Sequence, residues 1–90
     1  MGGSTTEYYY VDSSEAWDAV KLRLFLASGS GSNAELELFL NLKRGKLTYA
    51  RTKLRFEQEW FVRASDLSDA SPEWLQTGAG KYPDYPPARG

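Results

Sequence analysis

Residues 19–27 read Ala-Val-Lys-Leu-Arg-Leu-Phe-Leu-Ala, and the secondary structure of this stretch decides the fold. Its leucines occupy every second position from 22 to 26, and a period of two is typical of a strand with one buried face. A helix is the alternative, because residues 12–15 (Asp-Ser-Ser-Glu) resemble a capping box and Gly29 is suited to end a helix. The alternation favours one helical turn followed by a strand.

The stretches that follow extend this alternating pattern. Residues 34–43 place leucine at every second position from 36 to 42, and the Gly-Ser segment 28–33 between the two runs predicts a hairpin loop. Gly45 suits a second hairpin turn, and a change of apolar phase near 50–53 predicts a bulge or a turn. A last strand is then predicted at 59–64.

Both ends of the chain add an element. The β-prone segment 6–11 predicts a first strand, and residues 71–78 predict a short helix with Ser at the N-cap, Pro in the first turn and Gly beyond the end. We therefore divide the chain into a flexible leader (1–5), a single β-rich domain (6–78) and a Gly/Pro/Tyr-rich extended tail (79–90). The tail contains a Pro-x-x-Pro spacing at 83–86, which is typical of polyproline II ligands.

Together these patterns predict a mainly β protein, a small antiparallel meander or partly open barrel of about five strands with one or two short helices. The alternative is an α+β fold, in which a helix at 13–27 packs on a four-stranded antiparallel sheet. The strand phase predicts a core that includes four residues: Leu24, Leu38, Leu40 and Trp60. It places three phenylalanines on the opposite face as candidates for partner binding: Phe25, Phe39 and Phe61.

Composition limits the chemistry that this chain can perform. Ninety residues support one small core, and the absence of Cys and His excludes thiolate nucleophiles, Ser-His-Asp triads and zinc sites built from these ligands. Two pairs of acids, Glu35 with Glu37 and Glu57 with Glu59, could in principle run acid-base chemistry without histidine. Exposed acids on strands more often serve solubility and edge protection. We therefore expect a protein that is not an enzyme, with no catalytic residue, no cofactor and no metal.

A basic segment is the strongest local charge signal. Residues 43–55 contain no Asp or Glu, although the whole chain has a net charge of -1. The six cations of this segment are candidates for polyanion binding: Lys43, Arg44, Lys46, Arg51, Lys53 and Arg55. On a strand the last three would share one face, where they could meet successive phosphates or simply form a solvated surface.

These observations leave three functional hypotheses. The first is a non-enzymatic module that engages a protein partner through a sheet face or edge, and the second is nucleic-acid or polyanion binding through the basic segment. The third is a structural subunit of a homo-oligomer. No stretch is apolar enough to span a membrane, so we expect a cytoplasmic protein with no membrane partner.

Overall fold

The computed structural model of the chain describes residues 6–79 and shows a mainly helical protein. Within that range five helices and two short strands follow one another: β1 (Tyr8–Tyr10), α1 (Ser14–Ser28), α2 (Asn33–Leu40), α3 (Lys46–Lys53), β2 (Arg55–Glu57), α4 (Gln58–Leu67) and α5 (Pro72–Thr77). The prediction of a mainly β meander or barrel is therefore wrong, and so is the four-stranded sheet of the α+β alternative. The predicted leader and the Pro-x-x-Pro segment of the tail lie outside the described residues.

The decisive stretch forms α1, and capping explains why it is helical. The Ser13 hydroxyl accepts a hydrogen bond from the Ala16 amide at the start, and the amide of Gly29 donates to Phe25 at the end. Gly29 takes a left-handed conformation, with φ of 74°, which glycine adopts without a steric penalty. The helix predicted as the alternative at 13–27 is therefore confirmed, and the preferred strand is wrong.

The packing of α2 shows why the alternating leucines were wrong evidence for a strand. A helix brings residues three and four apart onto one face, so α2 buries Leu36 and Leu40 in the core. Leu38, which lies between them, is 80 % exposed. Leu24, Leu40 and Trp60 are buried as predicted, whereas the predicted burial of Leu38 is wrong.

The two predicted hairpins are replaced by helix boundaries. Gly45 has φ of 85°, but it precedes α3 and does not close a hairpin. Leu54 adopts φ of 55° and turns the chain from α3 into β2. The stretch predicted as the last strand, 59–64, lies within α4, because Trp60, Phe61 and Ala64 form one helical face.

The strand predicted near the N-terminus and the short helix predicted at 71–78 agree with the structure. β1 lies inside the predicted strand at 6–11. In α5 the Ser71 hydroxyl accepts from the Trp74 amide, Pro72 occupies the first turn, and Gly78 ends the helix with φ of 77°. No helix within residues 6–79 is long and apolar enough to cross a membrane.

The core lies between the helices and the inner face of a small ribbon formed by β1 and β2. The Trp17 ring stacks on Phe56 with 4.6 Å between centroids, and Trp60 and Phe61 pack against the same phenylalanine. The fully buried large side chains come from α1, α2, α3, β2, α4 and α5: Trp17, Leu24, Leu36, Leu40, Leu47, Phe56, Phe61 and Leu75. A single apolar cluster therefore joins the helices to the ribbon.

The register of the ribbon determines which side chains reach its outer surface. β1 and β2 are antiparallel, with Tyr9 opposite Phe56 and Tyr10 opposite Arg55. The Tyr9 ring meets Phe61 edge to face, and its hydroxyl donates to the Gln76 carbonyl at 3.2 Å. Because side chains alternate along a strand, Tyr8 and Tyr10 project from the opposite, outer face.

Candidate functional site

The outer face of the ribbon presents two tyrosines and an arginine in mutual contact. The Tyr8 and Tyr10 rings lie 6.0 Å apart, and the Arg55 guanidinium lies 4.0 Å above the centroid of Tyr8. A cation at this distance is attracted to the negative face of the ring. The strand pairing and this contact therefore hold the three side chains in defined positions.

Helix α3 extends this face on one side. Tyr49 borders the same narrow groove as Tyr8 and Arg55, and the Lys53 ammonium lies 5.6 Å from the Tyr49 ring centroid. Lys46, at the start of α3, forms an ion pair with Glu57 of β2 at 3.2 Å, which ties the helix to the ribbon. We call the resulting patch the tyrosine–arginine surface: Tyr8, Tyr10, Tyr49, Lys53 and Arg55.

The tyrosine–arginine surface is accessible as well as ordered. Tyr10 is 63 % exposed and Tyr49 is 51 % exposed, although both are large aromatic side chains. Each ring offers apolar area and a hydroxyl, while the neighbouring cations can pair with carboxylates. Chemically, the patch is suited to recognition of another molecule.

The helical fold separates the six predicted polyanion-binding residues. Arg51 and Lys53 are about 200° apart around α3, since each residue of a helix turns by about 100°. Arg51 instead meets α1, where its guanidinium makes two hydrogen bonds to Asp18 at 2.7 and 3.0 Å. This hydrogen bonding lowers the pKa of the Asp18 carboxyl and raises the pKa of Arg51. The shared face predicted for Arg51, Lys53 and Arg55 is therefore wrong, because the strand that it needs is a helix.

The remaining cations fall into two places. Lys46, Lys53 and Arg55 lie beside the tyrosines, whereas the exposed residues Lys43 and Arg44 belong to the loop between α2 and α3. Arg44 lines a different groove of about 340 Å³ together with Leu38. The basic segment thus becomes separate patches in the folded protein.

The three phenylalanines predicted to bind a partner do not form an exposed sheet face. Phe61 is completely buried in α4, where it contacts Tyr9 and Phe56. Phe25 and Phe39 are partly buried and pack against the same core. Their predicted common face depended on strands that the helices α1, α2 and α4 replace.

The paired acids make structural contacts. Glu57 pairs with Lys46, Glu59 pairs with Arg63 at 3.0 Å, and the Glu35 carboxylate accepts from the Gly31 amide. Glu37 is 5 % exposed, and its carboxylate accepts from the Leu47 amide at 3.1 Å. Leu47 lies in the first turn of α3, whose N-cap residue is a glycine, so Glu37 provides the cap from another helix.

The two cations of this surface, Lys53 and Arg55, were among the predicted site residues, whereas its tyrosines were not. The signal was present in the β-prone run Tyr8-Tyr9-Tyr10, because alternate residues of a strand must face opposite ways. Tyr49 could not be added from the sequence, since only the fold places α3 beside β2.

Comparisons with protein-family models, curated proteins and solved structures find no significant match to this chain. In the part of the chain from 6 to 79, no three side chains of the metal-binding types are grouped. Within residues 6–79, the tyrosine–arginine surface brings exposed aromatic rings into contact with cations.

Proposed function

We propose that this chain is a non-enzymatic binding module that engages a protein partner through the tyrosine–arginine surface. The observation that carries the proposal is the Arg55 guanidinium stacked on Tyr8, beside the exposed rings of Tyr10 and Tyr49. Tyrosine and arginine are enriched where protein interfaces gain most of their binding energy, because each combines a large contact area with directional polar groups.

The order within the surface favours binding. Association costs free energy for every side chain that must be immobilised, roughly 0.5–1.5 kcal/mol for each flexible one. The ring contact between Tyr8 and Tyr10 and the two cation–ring contacts already restrict the five side chains before a partner arrives. The free-energy cost of immobilising these side chains on binding is therefore smaller.

The charge arrangement supports a protein partner over a nucleic acid. A polyanion needs cations that follow its phosphates, yet Lys46 is paired with Glu57 and Arg51 is paired with Asp18. The Glu57 carboxylate also borders the same groove as Arg55. A surface with both signs of charge among aromatic rings suits the mixed polar and apolar surface of a folded protein.

Site-specific photo-crosslinking tests the proposal in cells of the source organism. A photoreactive benzoylphenylalanine replaces Tyr49, and the matched control replaces the exposed Asp66 of α4. We expect position 49 to give a discrete protein adduct that is unchanged by nuclease treatment. Position 66 should not give this adduct. The same adduct from both positions would contradict the proposal, and a nuclease-sensitive adduct would favour the polyanion hypothesis.

Two further variants measure the contribution of the surface once the adduct is isolated. Arg55→Ala should weaken binding of that partner by more than about 1 kcal/mol, which is about fivefold in Kd. Thr52→Ala, at an exposed position of the same helix as Tyr49, should leave Kd unchanged. Equal effects of the two variants would show that the partner binds elsewhere.

A further inference from the structure

Strand β1 uses only one of its two edges within the ribbon. The amide of Val11 donates to Leu54, and the amide of Gln58 donates to Glu7. In an antiparallel pair, hydrogen-bonded and non-hydrogen-bonded residue pairs alternate. Tyr9 therefore belongs to a hydrogen-bonded pair, like Glu7 and Val11, whereas Tyr8 and Tyr10 do not. The backbone N–H and C=O groups of Tyr8 and Tyr10 therefore point away from β2.

The two outer edges of the ribbon have different surroundings. At the edge of β2, the Trp17 indole donates to the Arg55 carbonyl at 2.9 Å, so a core side chain already occupies an outward backbone group of that strand. At the edge of β1 lies an open groove of about 470 Å³. The groove is lined by five residues: Tyr9, Tyr10, Val11, Asp12 and Ala16.

The lining of this groove combines an apolar floor with one negative charge. Tyr9, Val11 and Ala16 are partly buried, and Asp12 is exposed. Among residues 6–79 no cation pairs with the Asp12 carboxylate. Lysine and arginine fit such a groove, because their aliphatic stems cover apolar surface while their charged ends remain in water beside a carboxylate.

We infer that the edge of β1 receives an extended, basic segment of the protein partner as a third strand of the ribbon. Its backbone pairs with the outward groups of Tyr8 and Tyr10, and a Lys or Arg side chain lies in the groove with its charge beside Asp12. Strand addition of this kind gains affinity from main-chain hydrogen bonds and specificity from alternate side chains. The inference rests on the proposed function and specifies the form of the partner at that site.

The geometry favours an extended segment over a helix. Tyr8 and Tyr10 are two residues apart on a strand, so their outward groups repeat at about 7 Å along the edge. A second strand presents donors and acceptors at the same spacing, whereas a helix uses its backbone groups internally. The side chains of the added strand that face outward would lie beside the rings of Tyr8 and Tyr10.

A synthetic peptide tests the inference without knowledge of the natural partner. The probe is an acetylated octapeptide, Ser-Thr-Val-Lys-Val-Thr-Val-Ser, and the control carries Glu in place of Lys. Amide hydrogen exchange of the full isotope-labelled chain is followed by NMR during titration. We expect saturable binding of the lysine peptide, with exchange slowed several-fold at Tyr8 and Tyr10 and little changed at Tyr9, whose amide already bonds to β2.

Variants separate the backbone from the side chains. Tyr10→Pro removes the outward N–H and should abolish binding, whereas Tyr10→Thr keeps the N–H and should retain several-fold more affinity. Neither change removes a hydrogen bond to β2, so both should fold. Asp12→Asn should remove the preference for the lysine peptide over the glutamate peptide.

Three results would overturn the inference. The first is no saturable binding, and the second is binding that leaves exchange at Tyr8 and Tyr10 unchanged. The third is protection of these amides from exchange in the free chain that becomes stronger as the protein concentration rises. That result would show that a second copy of the chain pairs with the edge of β1. The crosslinks from position 49 decide the proposed function independently, since a partner that contacts Tyr49 without adding a strand would still give them.

Discussion

Leu36 and Leu38 are two residues apart on α2 but have opposite surroundings, which allows a matched test. Leu36→Ala should cost about 2–5 kcal/mol of unfolding free energy, because it leaves a cavity in the core. Leu38→Ala should change it by no more than about 0.5 kcal/mol, since the side chain is largely in water. Urea unfolding followed by tryptophan fluorescence measures both. Similar losses at the two positions would contradict the helical assignment of α2.

Glu37 tests a buried contact of a different kind. Glu37→Ala removes the acceptor for the Leu47 amide and should destabilise the protein by about 1–3 kcal/mol. Glu37→Gln keeps a carbonyl oxygen at that place and should cost clearly less. Thermal unfolding of the two variants compares them. If both were equally stable, the capping role of this side chain would be wrong.

The sequence could not have predicted these two environments. Leucines at every second position from 36 to 42 satisfy a strand, and they also supply the Leu36 and Leu40 pair that a helix buries. An acid such as Glu37 suggests an exposed position, and its partner amide lies ten residues further on. Burial of that carboxylate depends on the packing of α2 against α3, which local pattern does not encode.

At the scale of elements, Arg23 links α1 to the end of α5. Its guanidinium donates to the Leu75 and Gln76 carbonyls at 3.0 and 2.8 Å, at the helix terminus where backbone acceptors lack partners. Arg23→Met keeps much of the apolar stem but removes these charged hydrogen bonds, and it should cost about 1.5–3 kcal/mol. Faster hydrogen exchange in α5 would reveal the loss.

The exposed pair of Arg63 and Glu59 provides the control for Arg23. Arg63→Met should change stability by less than about 1 kcal/mol, because surface ion pairs on one helix contribute little. If Arg63→Met lost as much stability as Arg23→Met, the contact of Arg23 with α5 would contribute no more than an ordinary surface ion pair.

The Asp18–Arg51 pair connects α1 to α3 and makes stability depend on pH. The hydrogen bond from Arg51 lowers the pKa of Asp18 in the folded chain, so the pair stabilises the protein above the ordinary Asp value of about 3.9. That stabilisation is lost as the pH falls through the lower folded pKa. Asp18→Asn should therefore be less stable than the unaltered chain at neutral pH, with the difference shrinking below about pH 4.

Because both side chains are half exposed, salt should weaken the same effect. Arg51→Gln should show the same pH dependence as Asp18→Asn, and combining the two changes should add little. A stability difference that stayed constant from pH 7 to about pH 2 would contradict this assignment of the pair.

Elements with strong local signals were predictable, and those fixed by packing were not. The cap at Ser71, Pro72 in the first turn and Gly78 beyond the end identified α5 from the sequence alone. In contrast, α3 contains the β-branched and aromatic residues Thr48 and Tyr49, which also suit a strand. Its helical state follows from burial of Leu47 and Ala50 on one helical face.

For the molecule as a whole, the sequence predicted one small core but not its architecture. The candidate site was predictable in part, since Lys53 and Arg55 were proposed for binding and β1 was placed near its observed position. The sequence did not predict the pairing of β1 with β2, which lie nearly fifty residues apart in the chain. This pairing brings Tyr8 to Arg55. Contacts this distant depend on the complete arrangement of helices around the ribbon.

The indole of Trp17 at the edge of β2 has a consequence for stoichiometry. A ribbon with two free edges could propagate strand by strand into a fibre, whereas in this ribbon the Trp17 indole already occupies the Arg55 carbonyl at the edge of β2. If two identical chains pair through β1, the outer edges of the resulting four-stranded sheet are therefore both β2 edges, and the pair is closed. The same tryptophan that fills the core thus sets an upper limit on polymerisation.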